Sequence, residues 1–197
     1  MSTPTRPPTP APRDKSIVVL DAETGRLVRG LAPDLVWLFS DNGSARGVGD
    51  VPQPDGGKGS VFESGVRVPC VLSGLDVPAG ADMRELAHVV DVLPTLAALR
   101  GVTLPGPVDG VSLWGAIRSG RTAREHVYTQ TFEPNGFGPR VEEKEAVAER
   151  RYKMTRVDGV ERLYHLGQDP DERSPVDPAT VPDVAARLRG LLDRYGE

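Results

Sequence analysis

Two hydrophobic periods succeed one another along the chain. From Ser16 to Leu31 the apolar residues Ile17, Leu20, Leu27 and Leu31, with Thr24 between them, keep helical spacing and predict a helix that Gly30 and Pro33 end. The run Leu35-Val36-Trp37-Leu38-Phe39-Ser40 is apolar and β-prone throughout, which predicts a strand covered on both faces, with Asp41 at its carboxyl end. Val66 to Leu72 reads as a second buried strand, Pro69 marking an edge or bulge. Asp91 is the expected N-cap of a helix that runs to Gly101, and a short helix from Ser112 to Arg118 ends at Gly120. Beyond that point the period shortens to two. Glu125 to Phe132 alternates as a strand, Glu133 to about Glu145 is a polar loop, and Arg151–Val157 and Val160–Leu166 flank Asp158-Gly159, a two-residue hairpin signal. Thr180 and Asp183 suit a capping box, after which Val181, Val184, Leu188, Leu191, Leu192 and Tyr195 form one apolar stripe. Three parts are therefore expected: a disordered Pro-rich tail over 1–15, an α/β portion over 16–120, and a small α+β subdomain over 121–197.

Composition narrows the classes of partner. Of 197 residues, 24 are Lys or Arg and 28 are Asp or Glu, a net charge of −4 with no concentrated basic stripe, so neither nucleic acid nor an anionic membrane is expected as partner. The single cysteine rules out an internal disulfide framework and a cysteine-based zinc site. Cys70, inside Val68-Pro69-Cys70-Val71-Leu72, is expected to be a small buried side chain. The proline-rich start lacks the apolar block of a signal peptide, and no stretch is long and apolar enough to span a bilayer; the default expectation is a cytoplasmic location.

Candidate chemistry gathers between Asp41 and Ser60. Ligands of open α/β sheets bind at the carboxyl ends of strands, and there Asp41 and Asn42 set a carboxylate beside a carboxamide, hard oxygens suited to Ca²⁺ or Mg²⁺. Gly56-Gly57-Lys58-Gly59-Ser60 brings a compact positive charge to a flexible loop, where it would suit a tetrahedral oxyanion. Each piece has a plainer reading. Asn42-Gly43 is most often a tight turn, and a glycine-flanked lysine without Walker spacing is most often a solvated loop. Asp50 and Asp55 read as solvated loop charges, and Arg67 as a brace to Glu63. His88, His126 and His165 read as structural, and Tyr152 and Lys153 as strand-face residues that pack or line a cleft.

The order of these pieces shifts the balance. Phe39-Ser40-Asp41-Asn42-Gly43 followed by Gly57-Lys58-Gly59-Ser60-Val61-Phe62-Glu63-Ser64-Gly65-Val66-Arg67-Val68-Pro69 resembles the second half of the catalytic domain of the sulfatase family. Asp91-Val92-Leu93-Pro94-Thr95-Leu96, Asp109-Gly110-Val111-Ser112-Leu113, Arg151-Tyr152-Lys153 and Leu163-Tyr164-His165-Leu166 continue the resemblance over most of the chain after about Asp21. The resemblance implies a partial alkaline-phosphatase-like α/β sandwich, a buried mixed sheet with helices, followed by a small antiparallel sheet with a carboxyl-terminal helix. It also implies Asp41 and Asn42 as ligands of a Ca²⁺ ion, with Mg²⁺ as alternative, and Lys58 as the contact to the sulfate group. In this family the nucleophile is a formylglycine made from the Cys or Ser of a Cys- or Ser-x-Pro-x-Arg segment. Cys70 is followed by Val71-Leu72-Ser73-Gly74 and does not fit, no serine is expected to supply the pattern either, and the family's early Asp-Asp pair is absent.

The function implied is that of a sulfuric ester hydrolase sequence, truncated, lacking the formylglycine nucleophile and inactive alone. Its metal would be held weakly, because affinity rises with the number and charge of the ligands. Its partners would be a small sulfate ester or a sulfated glycan, and a complementing amino-terminal chain. Two other readings stay open: a phosphate or phosphonate ester hydrolase of the same superfamily, since sulfate and phosphate share tetrahedral shape, and a non-catalytic binding or assembly module.

Overall fold

The computed structural model describes residues 12–45, 51–120, 124–134, 137–139 and 142–196. Contact density divides the chain into two units, 1–38 with 71–77 and 39–70 with 78–197.

In the first unit, helix α1 (Pro12–Leu31) begins four residues earlier than the periodicity indicates, so 12–15 are helical, and the rest of the expected tail lies outside the described residues. The helix runs through Gly25 and Gly30 and stops where Ala32 turns to φ 43°. Strand β1 (Leu35–Phe39) pairs with β2 (Cys70–Gly74) in a two-stranded sheet. Ser40 N–H donates to Pro69 O at one end and Leu75 N–H to Asp34 O at the other, partner numbers that run in opposite directions, as in an antiparallel ladder. Two sequence expectations are corrected here. The second strand starts at Cys70 rather than Val66, because 63–66 form a helical turn, α2 (Glu63–Val66). Neither strand is fully covered: Leu38 is 44% exposed and Val71 58%, and Cys70 lies at the surface.

The second unit is built on an antiparallel meander, β3 (Val127–Glu133), β4 (Glu142–Ala148), β5 (Tyr152–Val157) and β6 (Val160–His165). Asp158 (φ 49°) and Gly159 (φ 77°) turn β5 into β6, the paired left-handed residues of a type I′ hairpin. Strand β4 occupies part of what reads as a polar loop. Its charges misled the pattern because they are paired in place: Glu145 accepts from Arg156 Nη1 at 2.8 Å and from Tyr128 Oη at 3.0 Å. Helix α5 (Pro182–Tyr195) lays Ala185, Leu188, Leu191 and Leu192 on Val147, Met154 and Leu163. No Thr180–Asp183 capping box forms; Asp177 Oδ1 instead accepts from Ala179 N–H, Pro178–Thr180 make a 3-10 turn, and Pro182 opens the helix.

Ahead of the meander, Val89–Asp91 form a 3-10 turn leading into α3 (Val92–Arg100), which Gly101 ends at φ 63°; α4 (Trp114–Ser119) ends at Gly120, φ 71°. Asp91 does hold the N-cap position of α3, but its side chain makes no cap bond to that helix; His88 caps the 3-10 turn, its Nδ1 accepting from Val90 N–H at 3.3 Å. Asp91 is wholly buried because its carboxylate has other work. It accepts from His88 N–H (2.8 Å), Val111 N–H (2.9 Å) and the Arg124 guanidinium, clamping three segments together.

Burial first, and then the facing Arg124 charge, hold the His88 imidazole below its ordinary value, against the pull of Asp91; His126 is lowered too, by burial and Arg124. A depressed histidine contributes stability above its unfolded value, about 6.5, that is lost as pH falls toward the folded one. Unfolding free energy, measured by urea titration, is therefore expected to fall on acidification through this window, and His88→Asn, which keeps a capping acceptor, should reduce the slope. An unchanged slope would contradict this role for His88.

Candidate active site

The chain from Phe39 to Cys70 folds back on itself by close backbone approach. Gly43 N–H donates to Gly65 O at 2.8 Å and Ser44 N–H to Ser64 O at 3.0 Å, so the segment after β1 lies against the end of α2. Lys58 N–H then donates to Ser44 O at 2.7 Å, which ties the lysine's backbone to a residue three positions from Asp41. Gly57 N–H donates to Ser64 Oγ at 2.9 Å, closing the loop over α2. The two glycines at this crossing are required by space. A Cβ on Gly43 would sit 2.1 Å from Ser64 O, and one on Gly65 2.4 Å from Gly57 O. Asn42-Gly43 is thus no hairpin turn: Gly43 lies outside the left-handed region and serves a backbone contact.

Asp41 and Lys58 are exposed and Asn42 half-buried. The Asn42 Nδ2 donates to Gly43 O at 3.2 Å, which leaves Oδ1 as the amide atom open to a cation, and Ser40 Oγ donates to Asn42 O at 2.8 Å. The Asp41 carboxylate and Asn42 Oδ1 are hard oxygens that fit Ca²⁺ or Mg²⁺, but two fall short of the roughly six to eight that calcium takes. Among the described residues no group of three or more His, Cys, Asp or Glu side chains is disposed to hold a metal ion. Asp55 is exposed, Asp50 lies outside the described residues, and Arg67 Nη1 stands 4.0 Å from Glu63 Oε2, a loose version of the expected brace. His126 Nε2 meets Tyr195 Oη at 2.9 Å and His165 Nδ1 accepts from Gln168 N–H at 3.1 Å, both within the meander unit.

The residues that seat this loop are ones the sequence did not single out. In β5, Met154 faces α5, while its neighbours Lys153 and Thr155 face the other side of the sheet, where small Ala148 and Ala146 pair with them. Onto that side comes the loop: Val61 is wholly buried, Phe62 nearly so, and the Phe62 ring meets Tyr164 edge-on at 6.3 Å. Lys153, 1% exposed, donates from Nζ to Glu63 Oε1 at 2.9 Å and stands 3.1 Å from Glu172 Oε1. Glu172 Oε2 in turn accepts from Glu63 N–H at 2.5 Å. Burial pushes the Glu172 carboxyl above its ordinary range, against the Lys153 charge and the Glu63 N–H that pull it down. Lys153 is therefore neither a cleft residue nor a solvated one. Tyr152-Lys153-Met154-Thr155 alternates apolar and polar as a half-buried strand does, so the sequence carried no signal that the Lys153 face is covered too.

No protein-family model matches the chain. Steryl-sulfatase of Mus musculus is 27% identical over 208 residues, spanning 91% of this chain and 31% of that protein. Arylsulfatase A of Bos taurus is 37% identical over 115 residues, 52% of this chain and 22% of that one. The chain is similar to sulfatases over part of their length. Among solved structures, that of Ps i-CgsB shares the fold at a TM-score of 0.78 and 21% identity, covering 99% of this chain and 48% of its own. The chain spans about a third of the mouse protein's length and about half of that structure's. The sulfatase nucleophile pattern needs one correction to the expectation above. It does occur once, as Ser2-Thr3-Pro4-Thr5-Arg6, followed by Pro7-Pro8-Thr9-Pro10, and that run lies outside the described residues. No helix among the described residues is long and apolar enough to cross a membrane.

The close approach at Gly43 has a direct test. Gly43→Ala should force the two backbones apart and break the Gly43–Gly65 and Ser44–Ser64 hydrogen bonds, a loss of about 1–3 kcal/mol. Faster amide exchange at 43 and 44 is expected; wild-type protection would show that the crossing has room to spare.

Proposed function

We propose that this chain is the carboxyl-terminal part of a sulfuric ester hydrolase site and is inactive by itself. The observation that carries the reading is the 2.7 Å bond from Lys58 N–H to Ser44 O, which gathers the loop lysine and the Asp41-Asn42 pair into one loop cluster. Asp41 and Asn42 Oδ1 would hold a Ca²⁺ ion, or Mg²⁺ in its place. That ion, when bound, supplies Lewis-acid polarisation of a sulfuryl oxygen. The Lys58 ammonium would neutralise the charge on the other sulfuryl oxygens, preorganised by the backbone bond at its own N–H. Sulfated sugars are the proposed substrate class. One structural neighbour is described in complex with its substrate D-glucosamine-2-N,6-O-disulfate, and another in complex with k-i-k-neocarrahexaose.

The rest of the site is proposed to come from an amino-terminal segment that completes the metal ligands and supplies the nucleophile. The exposed Leu38 and Val71 of the two-stranded sheet are apolar surface such a segment would cover. Ser2 lies outside the described residues and is given no part in this reading.

Steady-state assays of aryl sulfate and aryl phosphate test the reading, first with this chain and Ca²⁺ alone, then with the coding sequence extended upstream. The chain alone is expected to turn over neither ester, and the extended form to cleave the sulfate. In the extended form Lys58→Ala should lower the rate by about 10²–10³. Turnover by the chain alone would overturn its incompleteness, and cleavage of the phosphate alone would move the substrate class to phosphate esters. Calorimetry of the chain alone should find Ca²⁺ binding no tighter than about 10⁻⁴ M, abolished by Asp41→Ala; binding untouched by that change would remove Asp41 from the metal site.

A further inference from the structure

We infer that Lys153 is a positioning residue for Lys58: through Glu63 and Glu172, the carboxyl-terminal sheet sets the conformation of the loop that carries the candidate oxyanion contact. The inference rests on the reading of Lys58 above.

Lys153 cannot meet a substrate, since its side chain is 2% exposed. It acts five residues downstream of Lys58, on Glu63, whose carboxylate takes the ammonium at 2.9 Å while its backbone N–H is held by Glu172 Oε2 at 2.5 Å. Glu63 is thus gripped at side chain and main chain at once. From there the turn bond Ser60 N–H to Gly57 O (3.0 Å) and the bond from Gly57 N–H to Ser64 Oγ (2.9 Å) leave the Gly57–Ser60 segment a single course past Lys58. Stability alone does not call for such a device. A buried ion cluster recovers its desolvation cost only with good geometry, and an apolar set of the same volume is often as stable. What the charged set adds is direction, because hydrogen bonds fix orientation where packing tolerates sliding. A second observation agrees: Glu172 holds its backbone at φ 53°, a left-handed conformation that side chains other than glycine rarely adopt, so the fold accepts strain to deliver this carboxylate.

Two variants of the full chain test the inference. Lys153→Met keeps the volume and removes the charge; the triple variant Glu63→Gln, Lys153→Met, Glu172→Gln leaves no buried charge uncompensated, so it folds even where the first does not. Amide hydrogen exchange is read at 57–62 against Val147, Met154 and Leu163, with inorganic sulfate titrated into each protein and followed at the Lys58 amide resonance. The expected result is exchange about tenfold faster or more in 57–62, with the sheet amides unchanged, and a weaker sulfate response than wild type. Loop exchange equal to wild type, or rising only in step with the sheet, would reduce Lys153 to a stability element and overturn the inference. Absence of a sulfate response in the wild type would instead overturn the reading of Lys58, and the exchange data would still decide whether Lys153 holds the loop.

Discussion

One ammonium group, that of Lys153, stands between two carboxylates in the interior of the second unit, and the candidate site depends on it. Removing a lysine from water is costly, and the cost is recovered only because Glu63 and Glu172 approach within 3.1 Å and Glu63 N–H satisfies a further oxygen. The result is a bond between segments 90 residues apart in the chain. It joins the loop after Lys58 to a strand that follows it by nearly half of the protein's length.

That bond makes sense of how the chain divides. By contact density, residues 39–70 belong with the carboxyl-terminal meander rather than with β1, the strand that delivers them. The meander is a template with two faces. One is filled by the apolar stripe of α5; the other, kept low by Ala146 and Ala148, receives Val61, Phe62 and Glu63. Strand β5 alternates apolar and polar residues yet is buried on both faces at Lys153, Met154 and Thr155, and its lysine is accommodated there by pairing. The Asp91–Arg124 clamp does the same for the helical connection, fixing the turn before α3 to the segment that leads into β3.

Much of this was legible in the sequence, for identifiable reasons. The hairpin at Asp158-Gly159, the stripe of α5 and the glycine stops at Gly101 and Gly120 follow from local rules that tertiary packing did not override. The order of motifs gave the sulfatase resemblance, and with it the proposal of Asp41, Asn42 and Lys58 as site residues. What escaped reading was whatever depends on long-range pairing of charge. Glu145 and Lys144 look like loop residues until Arg156 and Tyr128 are brought to β4 by the fold, and nothing local to Asp91 announces the Arg124 that pairs with it. Burial of β1 was overread, since an apolar run reports what a strand is suited to contact and not what covers it.

The central claim is that the Lys58 loop and the meander form one cooperative structure. Native-state hydrogen exchange across a denaturant series measures this directly. The account predicts that the amides of Gly43, Lys58 and Gly65 join the same unfolding isotherm as those of Val147 and Met154. An earlier, separate opening of 43–65, with the meander still closed, would contradict it.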